Sequence, residues 1–220
     1  MQSTDLRVLT LILTPEQVNK LSRRARKNRI SCTKILAKGT VSNHFMQMLG
    51  IGSDRREMIK ILLEKAEADS FLDTLSKELQ LSKPGHGIVY MTEAIACAGA
   101  HGLPRKPMEN TAAQEDNTMY QKITVIVDRG NADQVMEVAR AAGVRGGTIL
   151  HGRGSTGKEA QKIFGIEIEE EKELVVILTP ASLTPTVFNA IAEKLDIDAP
   201  GKGIMYVEPM VETRGLAGAE

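Results

Sequence analysis

Arg153 lies between Gly152 and Gly154, with Ser155 next in the chain, and Lys202 lies between Gly201 and Gly203. Glycine lets backbone amides approach an anion closely, and a guanidinium adds a planar two-pronged donor that matches a phosphate. The hydroxyls of Ser155 and Thr156 extend the donor set. Two such glycine-flanked cations in one half of the chain suit a phosphorylated ligand. A plainer reading fits the same residues: the glycines only make turns and the cations are solvated.

The run Gly152-Arg153-Gly154-Ser155-Thr156-Gly157 also spells G-x-G-x-x-G. In a dinucleotide-binding fold that run joins the first strand to the first helix, and an acid at the end of the next strand holds the ribose. Here it follows a second strand, with a helix already behind it. The next strand, LVVIL, ends in Thr179-Pro180, and Glu173 stands at its beginning. That order speaks against a dinucleotide fold. Other chemistries find less support. His44, His86, His101 and His151 have no metal-ligand spacing, and His151 reads as a turn or core residue. Cys32 and Cys97 make neither a disulfide framework nor a zinc site, and fit a reduced, cytoplasmic compartment. The chain has no nucleophile elbow with its triad order and no paired carboxylates in a pocket-forming context, so the expectation is a protein without enzymatic activity.

The elements that must position these residues come in two sets. Pro84-Gly85-His86-Gly87-Ile88 returns 116 positions on as Pro200-Gly201-Lys202-Gly203-Ile204. Leu75 and Leu79 match Ile191 and Leu195 at the same offset, and Leu49-Gly50-Ile51 matches Phe164-Gly165-Ile166 at 115. Residues 7–13 (RVLTLIL) and 122–127 (KITVIV) are apolar and β-branched and predict a first strand in each half. Residues 16–26 and 132–142 predict a first helix, the latter with Val135, Val138 and Ala139 at helical spacing and Gly143 as its stop. Second strands follow at 32–37 and 147–151, then long loops to about residues 57 and 172. Third strands are predicted at 58–63 and 174–178, second helices at 71–79 and 186–195, and fourth strands at 88–91 and 204–207. Residues 96–117, polar and rich in Gly, Pro and Ala, read as a linker. The expected organisation is residues 1–97, a linker at 98–118 and residues 119–220. The fold class is α+β: two tandem ferredoxin-like βαββαβ domains, each a four-stranded antiparallel sheet with helices on one face. The bare face of such a sheet needs a cover, so assembly is expected.

Composition bounds the partners. Lys and Arg total 28, as do Asp and Glu, so the formal net charge is zero and no global field attracts nucleic acid or anionic membrane. Aromatics make up 3% with no Trp, which leaves few platforms for stacking on single-stranded nucleic acid. The first residues, MQSTDLRVLTLILTPEQ, lack the regions of a signal peptide, and no apolar run approaches the roughly 20 residues of a membrane span.

With this element order, G-V-R-G-G-T-I at 143–149, G-R-G-S at 152–155 and P-G-K-G-I-M-Y-V at 200–207 together resemble the P-II nitrogen-regulatory family. The G-R-G-S form is more similar to the P-II-like branch than to the glutamine-synthetase regulators. Residues 120 to about 215 carry the resemblance well. Residues 6 to about 94 resemble the family more weakly: they keep P-G-H-G-I-V-Y, but have Lys38-Gly39-Thr40 where the second half has Arg153-Gly154-Ser155.

The resemblance implies a trimer of ferredoxin-like domains that holds ATP or ADP, or in some branches another adenine nucleotide, in clefts between neighbouring domains. It implies a T-loop after the second strand that changes shape with ligand and docks on a transporter or enzyme of nitrogen or carbon metabolism. In many members 2-oxoglutarate joins through Mg-ATP. By position, Thr148 is implied near the adenine, Gly152, Arg153, Gly154 and Ser155 at the base of the T-loop, and Gly201, Lys202 and Gly203 at the phosphates. Arg214 is implied as a C-terminal phosphate-binding arginine. The first-copy equivalents are Thr33, Lys38, Gly39, Gly85, His86 and Gly87, and His86 in place of Lys202 weakens a phosphate contact or makes it pH-dependent.

The sequence also departs from the family. The T-loops, roughly 40–56 and 155–171, are shorter than in the classical regulators and contain no Tyr, so uridylylation of the usual kind is not expected. The Gln that follows the loop base in 2-oxoglutarate binders has no counterpart, which argues against 2-oxoglutarate sensing. The apolar run at 44–49 reads as buried cover or as a docking tip, and the acidic run at 167–173 as a solvated face that would fold the loop on itself if it met Lys158 and Lys162. Two rivals share the βαββαβ plan: an ACT-type amino-acid-sensing tandem and a structural trimer similar to the CutA type. Arg153 and Lys202 would be idle in both.

Overall fold

The computed structural model describes residues 5–40, 53–83, 86–100, 102–108, 120–155, 162–163, 166–167 and 169–211. The elements are β1 (Leu6–Leu13), α1 (Pro15–Lys27), β2 (Cys32–Thr40), β3 (Ser53–Glu64), α2 (Lys65–Glu78), β4 (Ile88–Ala94), β5 (Ala96–Ala98), β6 (Tyr120–Asp128), α3 (Ala132–Ala141), β7 (Thr148–Ser155), β8 (Lys162–Ile163), β9 (Ile166–Glu167), β10 (Glu170–Pro180), α4 (Thr184–Lys194) and β11 (Ile204–Pro209). The protein is α+β, with antiparallel sheet and, among the described residues, four helices. The order strand-helix-strand-strand-helix-strand occurs twice, from β1 to β4 and, setting the short β8 and β9 aside, from β6 to β11.

Helix boundaries follow from capping chemistry. Thr14 precedes α1 and forms a reciprocal box with Gln17: the Thr14 amide donates to Gln17 Oε1 at 3.0 Å and the Gln17 amide to Thr14 Oγ1 at 3.4 Å. Pro15 opens the helix, Glu16 lies in its first turn, and Arg24, Arg26 and Lys27 lie in its last, each matched to the helix dipole. All four helices end alike. Arg29, Gln80, Gly143 and Asp196 take left-handed φ values of 57°, 52°, 103° and 49°. The next amide then reaches back five residues: Ile30 to Ala25, Leu81 to Ser76, Val144 to Ala139 and Ile197 to Ala192, at 2.8 to 3.1 Å. This is the Schellman arrangement, which satisfies carbonyls left over at a helix end. The helix predicted at 71–79 in fact begins at Lys65; the run Lys65–Ser70 holds only one buried residue, Ala68, so its apolar pattern gives no helical signal there.

The chain divides into two compact units. One comprises Met1–Leu6, Thr92–His151 and Glu171–Glu220, the other Arg7–Met91 and Gly152–Glu170. In the first, strands run in the order β10-β6-β11-β5. Residue Val125 of β6 faces Val175 of β10 and Met205 of β11, with both pairings antiparallel. Ile123, Val125 and Val127 point one way into a core with Val135, Met136 and Ala139 of α3 and Val187, Phe188 and Ile191 of α4. In the second unit the order is β4-β1-β3-β2. Leu9, Leu11 and Leu13 pack with Val18, Leu21 and Ala25 of α1 and with Ala68, Phe71 and Leu75 of α2. Period-two strands against apolar helix faces produce both cores.

The expectation of four-stranded sheets is not met, and each unit takes in a strand that the sequence reading left out. In the first unit β5 adds to β11, with Ala96, Cys97 and Ala98 opposite Val207, Tyr206 and Met205, so the predicted linker begins inside a strand. In the second, residues 152–155 of β7 add to β2. The strands are also longer than predicted. β2 runs on to Thr40, β7 to Ser155, and β3 and β10 span 12 and 11 residues. Residues 38–40 and 152–155, read from their glycines and charges as loop, are strand because each finds a partner: Lys38, Gly39 and Thr40 stand opposite Arg55, Asp54 and Ser53. The two-stranded ladder β8–β9 sets Lys162 opposite Glu167. The rest of the predicted T-loops, including the 44–49 cluster, lies outside the described residues.

Candidate functional site

The turn before β11 holds the second cation. Gly201 has φ +83° with open space where a side chain would start, and Gly203 has φ +145° with no such space. A Cβ on Gly203 would stand 2.6 Å from the Ile126 carbonyl oxygen and 3.2 Å from Val127 Cγ1. The second glycine therefore seats the turn against β6 and the first lets it open outward. The Lys202 amide donates to Ala199 O at 3.1 Å, and the Lys202 side chain is exposed. The result is a cation held on a turn fixed at one end, with its ammonium in water.

The matching turn in the first half has a glycine in the same kind of close approach, but the residue in the place of Lys202 has different contacts. Gly87 has φ +108°, and a Cβ there would meet Leu13 Cδ2 at 2.6 Å and Ile12 O at 2.9 Å. His86, in the place of Lys202, is engaged within the protein. Its Nδ1 lies 3.2 Å from Leu79 O, which only accepts, so Nδ1 carries the proton, and its carbonyl receives Gln17 Nε2 at 2.5 Å. Gln17, already tied to Thr14, thus ties the head of α1 to this turn. Gly85 and Arg214 lie outside the described residues.

The G-R-G-S stretch is strand rather than an open anion cradle. Gly152, Arg153, Gly154 and Ser155 stand opposite Ile35, Lys34, Thr33 and Cys32 in an antiparallel ladder. Pairing with β2 takes up part of the backbone that was expected to cradle phosphate, and the Arg153 side chain is exposed. The ladder brings two candidates from different halves together: Thr33, buried, directly opposite Gly154, also buried. Lys38 and Gly39 sit farther along β2, paired with β3. Thr148 opens β7 and is exposed. Thr148 and the 201–203 turn belong to one unit and residues 152–155 to the other.

Two charged residues escaped the sequence reading. Lys34 is only 8% exposed, and its ammonium pairs with the Glu169 carboxylate. Directly across the ladder from it stands Arg153. Glu173, set aside above as a poorly placed ribose acid, is also 8% exposed. Its Oε2 accepts from the amides of Gly130 at 3.0 Å and Ala132 at 3.1 Å. Asn131 gives α3 no side-chain cap, so a carboxylate from β10 supplies one. Exposed His151 lies with Nδ1 3.7 Å from Glu173 Oε1. A buried acid 43 and 41 residues along the chain from the amides it caps leaves no mark in local sequence spacing. Among the described residues no three His, Cys, Asp or Glu side chains group as metal ligands, and no helix is long and apolar enough to cross a membrane.

No protein-family model and no curated protein matches the chain. Among solved structures it is similar to the B. subtilis GlnK–ATP complex, at 18% identity and a TM-score of 0.33, over 43% of this chain and 84% of that one. It is similar to the ligand-free regulatory subunit of aspartate kinase from Thermus thermophilus, at 14% identity and 0.33, over 86% and 92%. It is similar also to an anthrone oxidase-like protein, at 13% and 0.25, over 97% and 94%. At these distances the likeness assigns no activity. The class stands on the elements themselves, an α+β protein whose strand and helix order is the ferredoxin-like one.

Proposed function

We propose that the chain is a P-II-like regulatory protein that binds an adenine nucleotide, ATP or ADP, through its second half, and changes its affinity for a transporter or enzyme as the T-loops respond. The observation that carries this reading is the contrast between the two equivalent turns. Gly201-Lys202-Gly203 presents an exposed ammonium from a turn seated on β6, while the half-buried His86 ring meets Leu79 O through Nδ1. A phosphate needs a cation free to meet it. The exposed Arg153 side chain and the preserved P-G-K-G-I-M-Y-V run support the same reading. No step of catalysis is part of it. A homo-oligomer, trimer favoured, and a cytoplasmic location complete the proposal. Mg is its companion ion.

Regulation requires the nucleotide to bind one loop state better than another, since equal affinity for both shifts nothing. An amino-acid sensor of the ACT type is the second reading, and a CutA-like structural trimer the third. Neither has a use for Lys202. Thermal unfolding with ATP, ADP, AMP, cyclic AMP and a panel of amino acids, each with and without Mg and 2-oxoglutarate, separates them. A ligand at about 100 times its Kd adds about 2.7 kcal/mol of stability. The proposal expects that gain from an adenine nucleotide. A gain from an amino acid alone, or from nothing, would set it aside.

A further inference from the structure

Lys34 and Arg153 stand directly opposite each other in the β2–β7 ladder. Residues so paired project from the same face of the sheet, with Cβ atoms about 5 Å apart. On the other side of Lys34, across the ladder to β3, stands the fully buried Ile59. Two like charges in such a pair repel, and a cation as buried as Lys34 needs an anion beside it. Glu169 supplies that anion: its carboxylate, 22% exposed, pairs with the Lys34 ammonium from 135 residues along the chain. Among the described residues no carboxylate pairs with Arg153, whose side chain is exposed. All three residues belong to the same compact unit.

The charges of this trio do not balance. Two cations meet one carboxylate, and that carboxylate serves only one of them. A phosphoryl group carries more negative charge and three acceptor oxygens. It suits an ammonium, which acts as a point charge, together with a guanidinium, which binds by two prongs. Glu169 is a weaker anion than a phosphoryl group, held in place by the chain.

We propose that Lys34 and Arg153 together form a site for a phosphoryl group, and that Glu169 is its built-in competitor, occupying the Lys34 ammonium until the ligand displaces it. The inference takes Arg153 as a phosphate contact from the reading above. It adds Lys34, from the first half of the chain, as a second contact, and Glu169 as the group that sets the affinity. Binding is weakened in proportion to the fraction of molecules in which Glu169 is seated.

Calorimetric titration of sodium tripolyphosphate and of ATP tests it, in wild type, Glu169→Gln and Lys34→Met, at an ionic strength held constant with sodium chloride. Glu169→Gln is expected to bind tripolyphosphate at least about fivefold more tightly than wild type, and Lys34→Met about tenfold more weakly. A pair that serves structure alone would change the urea midpoint of each variant and leave the affinities alike, and that result would overturn the proposal. Lys34→Met leaves no buried charge without a partner and is expected to fold. Should Glu169→Gln fail to fold, Glu169→Asp takes its place, with the carboxylate drawn back by one methylene. It must then bind more tightly than wild type, and equal affinity would overturn the competitor's role. Tripolyphosphate bound in the expected order with no binding of ATP upholds the site and removes the nucleotide reading. ATP bound equally by all three chains keeps the nucleotide reading and overturns this inference. Binding of neither probe by any chain overturns both.

Discussion

Gly203 approaches β6 so closely that a Cβ would stand 2.6 Å from the carbonyl oxygen of Ile126, and Gly87 stands in the same relation to Ile12, at 2.9 Å. Gly203 and Gly87 are therefore required by the fold, whatever the turns bind. Each also has positive φ, so a side chain adds backbone strain to the clash. Gly203→Ala and Gly87→Ala are each expected to cost about 1–3 kcal/mol. Gly201→Ala, which meets open space, pays only for its φ of +83° and should cost about 1 kcal/mol. Urea unfolding of the three variants gives the ranking. Equal losses at 201 and 203 would contradict the packing argument.

Glu173 caps α3 from β10. Glu173→Ala removes the acceptor of two amides and is expected to destabilise by roughly 2–4 kcal/mol. Glu173→Gln retains an accepting oxygen and should lose less. The exposed Arg129–Glu171 pair nearby is the control, since Glu171→Ala should cost under about 1 kcal/mol. Exchange at the first turn of α3 should rise in Glu173→Ala and stay unchanged in Glu171→Ala.

Cys97 is buried beside Pro104 and Lys106, and burial pushes its thiol above the ordinary 9.0, against the lowering effect of the Lys106 backbone hydrogen bond. Because the folded value is the higher one, the folded chain holds this proton more tightly than the unfolded chain. The contribution to stability is whole below about pH 9 and is lost as pH rises through the folded value. Wild type should lose stability faster than Cys97→Ala between pH 8 and about 10.5, read by urea midpoints. Parallel profiles would contradict the assignment.

Much of the fold was legible. Runs such as KITVIV and the spacing of Val135, Val138 and Ala139 gave strand and helix because pattern and burial agree there. The repeat of P-G-x-G-I pointed to two turns that the structure builds alike, around Gly87 and Gly203. Composition misled at residues 152–155. Two glycines and an arginine read as loop, but β2 offers a complementary edge, and pairing overrides local preference. β5 was hidden in a Gly- and Ala-rich stretch for the same reason. The roles of Lys34 and Glu173 rest on partners 135 and 41 to 43 residues away, and no local spacing encodes such contacts. His86 was expected to weaken or pH-tune a phosphate contact, and its ring instead meets Leu79 O.

Calorimetric titration of ATP and ADP into wild type, Lys202→Ala and Arg153→Ala tests the nucleotide-binding claim most directly. Wild type is expected to bind one nucleotide per chain, Lys202→Ala to bind at least about tenfold more weakly with the fold intact, and Arg153→Ala to show a smaller or equal loss. Binding of the same strength in wild type and Lys202→Ala, or no heat from either nucleotide, would contradict it.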